Sequence, residues 1–352
     1  PILLTLLAHR PHFLHFRWAS WLSVIALLAA PALTIWQINP LLITLAIATV
    51  VMLVNTQQLQ KLRAAAITVG FGVGFAMALL GRIWFTAPLF WVLSWVAIVA
   101  CGLWLFRHLC SRRETVLTRL YTRALDGWAI ALSVINLGVL TLIMVNAELT
   151  SSIPLEWQYA LAVGLTIGAI IYRIVQRPTN LGLCGAAWGI QLLALSWGNL
   201  SGATWDDLAI VTLILGLLTQ LLGDFWLRRH PDSALTSLHG IPTFYAILGG
   251  LLAHHHFTFT SGLYTLAAAL PLIGVGRRQP DLKPLTYLGI AAVSIAAYEG
   301  LTYQLLQSPG GSEGDGITLL AGLATAIAIT YRLTARWLRS YWRLTQSELL
   351  TL

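Results

Sequence analysis

The run TAPLFWVLSWVAIVACGLWLFRHLCSRRETVLTRLYTRALDGWAIALSVINLGVLTLIMVN, residues 86–146, decides the fold class. Its two apolar stretches, 86–106 and 126–146, each have the roughly 20 residues needed to cross a hydrocarbon core. Between them Arg107, Arg112, Arg113, Arg119 and Arg123 crowd one connection. A basic connection joining two apolar runs marks a membrane hairpin whose turn faces the cytoplasm.

The pattern extends in both directions. Spans are expected at 18–36, 40–56, 64–81, 86–106, 126–146, 156–174, 180–198, 206–224, 240–256, 259–275, 284–305 and 316–336, the ninth and tenth being short. Of the 21 Lys and Arg residues, all but Arg82 fall in alternate connections. That face holds 20 bases against six acids, and the other holds Arg82 against seven acids. The faces thus carry net charges of +14 and −6, together the chain's +8. The basic connections and both termini are therefore expected on the cytoplasmic side.

With 57% hydrophobic and 10% charged residues, the chain lies far from soluble domains, in which about a quarter of residues are charged. Its basic residues cluster at span ends, where they anchor to anionic head groups, so the charge implies membrane lipids as partners and not nucleic acid. Cys101, Cys110 and Cys184 have no metal-ligand spacing, which argues against disulfides and structural zinc.

The expected architecture is all-α, a polytopic transmembrane bundle of about twelve spans forming six hairpins. A shift of 159 residues places LAVGLTIGAIIYRIVQR (161–177) on LAGLATAIAITYRLTAR (320–336) with eight identities, Tyr172 and Arg173 falling on Tyr331 and Arg332. A shift of 163 places LAIATVVMLVNTQQL (45–59) on LAIVTLILGLLTQLL (208–222). Two nearly equal offsets imply tandem halves, 18–177 and 178–345. Six spans per half make them parallel, related about the membrane normal. Residues 1–17 are too short an apolar stretch to span and read as an interfacial segment. Residues 346–352 read as a tail that continues in a longer native chain.

Few residues carry chemistry. Glu299, inside AAVSIAAYEGLTYQLL, is the one carboxylate expected well within a span and is a proton or cation candidate. Against that role, Glu299 could snorkel to the nearby face, or pack while protonated or bonded to a nearby hydroxyl such as a neighbouring tyrosine's, and no relay partner is evident. His254, His255 and His256 share a turn and are the candidates for holding a cofactor, although successive helical residues point about 100° apart and three cannot ligate one metal from a regular helix. Arg173 with Arg177, and Arg332 with Arg336, set two guanidinium groups on one face of a span end, suited to lipid phosphate or an acidic partner loop. Trp91, Trp95 and Trp104 follow one span and are read as packing, or as the wall of a pigment or lipid groove.

The stretches IIYRIVQRPTNLGLCGAAWGIQLLALSWG (170–198), LTQLLGDFWLRR (218–229) and GVGRRQPDLKPLTYLGIAAVSIAAYEG (274–300) resemble parts of the large, uncharacterised multipass membrane proteins of cyanobacteria with hairpin repeats. The resemblance covers most of 155–345. It implies a thylakoid or plasma-membrane location and transfers no catalytic residue. No nucleotide-binding, nucleophile-elbow or metalloprotease motif occurs in the chain. The expected role is a non-catalytic integral membrane protein, an accessory or assembly subunit of a larger membrane complex, that binds lipid or pigment and requires no cofactor. The alternative is a secondary transporter or lipid-handling protein with two parallel six-span halves.

Overall fold

The structure, a computed structural model, describes residues 17–83, 88–112, 115–150, 157–202, 204–231, 233–308, 310 and 313–342. Of these, the side chains of 17–21, 148–150, 199–201, 313 and 335–342 are not described. The expected interfacial segment, except Arg17, and the expected tail lie outside the described residues.

The described residues are helical, without strands. The helices are α1 (Arg17–Thr34), α2 (Ile38–Leu59), α3 (Leu62–Ile83), α4 (Leu89–Ser111), α5 (Val116–Thr150), α6 (Trp157–Gln176), α7 (Asn180–Ser201), α8 (Trp205–Arg229), α9 (Ser237–Ala253), α10 (Ser261–Gly276), α11 (Lys283–Gln307) and α12 (Glu313–Trp342). Nine of them are long and apolar enough to cross a membrane, while the apolar parts of α1, α9 and α10 are shorter. Helices suit such runs because hydrocarbon offers no partner for a backbone N–H or C=O, and a helix satisfies both within one segment. Large apolar side chains point outward, among them Leu142 and Leu251, each 70% exposed. Such a surface is matched by lipid and not by water. These features together describe an integral membrane protein.

Local chemistry sets the breaks. Thr179 caps α7 by accepting from the Gly182 N–H, and Gly202, at φ 69°, takes the left-handed conformation that ends it. Thr204 and Asp207 form a reciprocal capping box at the start of α8.

Two compact units emerge. Of the described residues, one contains those up to 178 and Trp188–Leu193, the other Thr179–Ala187 and those from 194 onward. In the first, α2 packs on α1 and α3, α3 on α5, and α4 on α5 and α6. Buried polar groups tie these helices across their apolar seams: Asn55 donates to Ser23, Thr56 and Thr68 share a hydrogen bond at 2.9 Å, and Asn136 of α5 donates to the Leu93 carbonyl of α4 and to Thr166 of α6. Gly70 lets Trp128 close on α3, for a Cβ there would lie 2.7 Å from the indole ring, and Trp128 donates to the Ala66 carbonyl.

In the second unit α9 packs on α8 and α10, and α10 on α11. Gly262 of α10 meets the backbone of α11 so closely that a Cβ would stand 2.5 Å from the Ala296 carbonyl oxygen. Arg278 bolts three helices together: its Nε donates to Asp224, its Nη1 to the Leu238 carbonyl and its Nη2 to the Gln220 carbonyl. Asp224 also receives Arg277 and Gln220.

Candidate functional site

Two candidates read separately from the sequence meet in the second unit. His254 follows the last residue of α9, and its Nε2 lies 2.9 Å from Oε1 of Glu299 in α11. Thr265 of α10 donates to the other carboxylate oxygen at 2.6 Å. Glu299 therefore bonds to a histidine and to a threonine hydroxyl. It also has the ionisable partner that the sequence reading did not find.

Helix length explains the meeting. At 1.5 Å per residue, α9 and α10 are about 26 and 24 Å long, whereas α11 reaches about 37 Å. The α9–α10 hairpin turns early. His254 is thereby carried to the level of Glu299, eight residues before the end of α11 at Gln307.

The geometry fixes the proton count. His254 Nδ1 lies 2.6 Å from the Gly250 carbonyl, which can only accept, so Nδ1 bears a hydrogen. A close Nε2–Oε1 contact then needs one more proton between the facing lone pairs of the two atoms, giving either imidazolium with carboxylate or imidazole with carboxylic acid. Thr265 Oγ1, 3.2 Å from Nε2, can accept from the imidazolium while donating to Glu299. The His254 side chain is 38% exposed and that of Glu299 16%, so the pair sits at the edge of the packed region.

The other candidates are dispersed. His255 packs at a tilt against Trp205 and against His256. Among the described residues no three His, Cys, Asp or Glu side chains are grouped to hold a metal. Arg173 is buried and engaged, with Nε and Nη2 on Asp126 and Nη1 on the Arg177 carbonyl. Arg177 and Arg332 are exposed, and the side chain of Arg336 lies outside the described residues. Arg173 and Arg332, aligned by the 159-residue offset, thus have different surroundings. Trp95 donates to the Ala76 carbonyl, Trp104 donates to Asp126, and Trp91 packs edge-on against Trp157.

The sequence reading missed Asp126 and Asp224 as hubs of arginine clusters. Both lie at span ends among bases that serve equally as topology anchors, and only the fold shows which bases turn inward. Asp207 had a legible signal, the Thr-x-x-Asp spacing of a capping box.

Compared with known proteins, the chain matches no family model, no curated protein and no solved structure.

Proposed function

We propose that this integral membrane protein binds a proton at the His254–Glu299 pair and uses it in moving a solute, the secondary-transporter reading. The 2.9 Å contact between these two titratable groups from different helices carries it. An ionisable residue within a span is costly unless it has a role, and a partner on another helix lets one proton be held or released as helices shift. The proposed topology has twelve spans, with basic connections and both termini cytoplasmic, supported by the charge asymmetry. The two sequence offsets support parallel six-span halves, and the resemblance supports a cyanobacterial membrane. Reconstituted vesicles enclosing a pH-sensitive dye test the function: an imposed potential, with a panel of polar solutes supplied outside, should drive solute-dependent proton entry with wild type and not with Glu299→Gln. Equal flux in the two removes the reading.

The accessory-subunit reading has one observation in its favour. No residue between 314 and 334 in α12 is buried, so this apolar helix offers an uncovered face to lipid or to a partner helix. Purification in mild detergent that returns a defined partner, lost when α12 is deleted, would favour it.

A further inference from the structure

Three buried arginine side chains anchor the interiors of the two units, and they are not alike. Arg173 and Arg278 have their donors engaged by carboxylate and carbonyl oxygens. Arg107, near the end of α4 and only 7% exposed, has a buried Nη1 that makes no hydrogen bond. Its nearest acid, Asp126 Oδ1, is 3.6 Å away. That carboxylate is already taken by the paired donors of Arg173 and by the Trp104 indole N–H. A buried guanidinium donor without an acceptor is costly, and the cost falls when an anion arrives.

Space for an anion is present. Arg107 opens on a cavity of about 220 Å³ in the first unit, lined also by Arg119, Arg123 and Arg177 and by Asp126. This is smaller than the roughly 300–1,000 Å³ of sites for drug-sized molecules, and suits a head group. Four arginines face one carboxylate, and Arg173, outside the lining, already neutralises it. The cavity therefore carries uncompensated positive charge from three helices. Planar guanidinium groups of this kind match the paired oxygens of phosphate.

A second cavity, of about 610 Å³, accompanies it. Its apolar walls include Phe106, Cys110, Tyr121 and Leu125, each the chain neighbour of a residue lining the basic cavity: Arg107, Ser111, Thr122 and Asp126. Both cavities thus draw on α4 and α5, and the unit offers a basic and an apolar surface for a molecule with a phosphate and an acyl chain.

We infer that the Arg107 cavity binds a phosphate group, borne by an anionic lipid head group or by a free phosphate. The site is independent of the His254–Glu299 pair, which belongs to the other unit. It also narrows the sequence expectation at Arg173 and Arg177: Arg177 faces the phosphate, while Arg173 holds the aspartate.

The full chain in uncharged detergent tests this by titration with phosphatidylglycerol, with phosphatidylcholine and, separately, with inorganic phosphate. Saturable binding of phosphatidylglycerol in preference to phosphatidylcholine is expected, weakened about tenfold or more by Arg107→Gln and by Arg123→Gln. Arg63→Gln, an exposed base outside the cavity, should leave it unchanged. Binding of inorganic phosphate alone, with the same sensitivity to the variants, supports the site and assigns it to a free anion. Should Arg107→Gln fail to fold, Arg119→Gln and Arg123→Gln, both at exposed positions, decide the matter. The inference is overturned if neither ligand binds saturably, if the cavity variants bind as wild type does, or if Arg63→Gln weakens binding equally.

Discussion

One proton separates the states open to His254 and Glu299, and its affinity is set by neighbours that can be removed singly. Glu299→Gln keeps the shape of the side chain but puts an amide where the carboxylate shares that proton. The imidazole signals of His254, assigned with His254→Gln in NMR of histidine-labelled protein, should therefore move in Glu299→Gln, and unmoved signals would show that the proton is not shared. Arg278 offers a different residue-scale test. Arg278→Leu leaves Asp224 with Arg277 and Gln220 but removes its other arginine and the donors to the Leu238 and Gln220 carbonyls, and should cost about 1–3 kcal/mol of stability. Arg332→Leu, at an exposed position, should stay within about 0.5 kcal/mol. Thermal unfolding in detergent compares the two.

At the scale of elements, close approach is decided by particular glycines and not by glycine spacing. The pairs Gly70–Gly74 and Gly164–Gly168 look equivalent in sequence. In the fold, a Cβ at Gly70 would strike Trp128, while Gly164 and Gly168 have nothing within 4 Å. A tight backbone contact, Gly262 against Ala296, lies outside any such pair. Gly262→Ala should cost about 1–3 kcal/mol, because a backbone oxygen cannot swing aside as a side chain can. Gly168→Ala should be neutral or gain up to about 1 kcal/mol from helix propensity. Equal melting shifts for these two variants would contradict the packing described. Helix existence and limits were largely legible, since each expected span has its helix. The shortness of α9 and α10 was legible too, but its consequence was not: that a short hairpin delivers His254 to Glu299 depends on the length of α11 and on the contact between α10 and α11.

For the whole molecule, the proposed topology places the turn at Gly202 opposite the connection after Arg229. Single cysteines at these positions in sealed vesicles should react with impermeant reagent from opposite sides, and labelling from the same side would overturn the topology. The sequence by itself determined that this is a helical membrane protein, how many apolar segments it has and where its positive charge collects. Those properties are sums over neighbouring residues: hydrophobic length sets a span, and the bases flanking it set its direction. Tertiary structure alone decided that Arg173 and Arg278 have a partner at every side-chain nitrogen while Arg107 Nη1 has no hydrogen bond, and that Glu299 meets His254 across 45 residues of chain. The physical reason is range. Hydration and charge act on each segment wherever it lies, whereas a hydrogen bond or ion pair needs about 3 Å contact, which only packing of distant helices can supply.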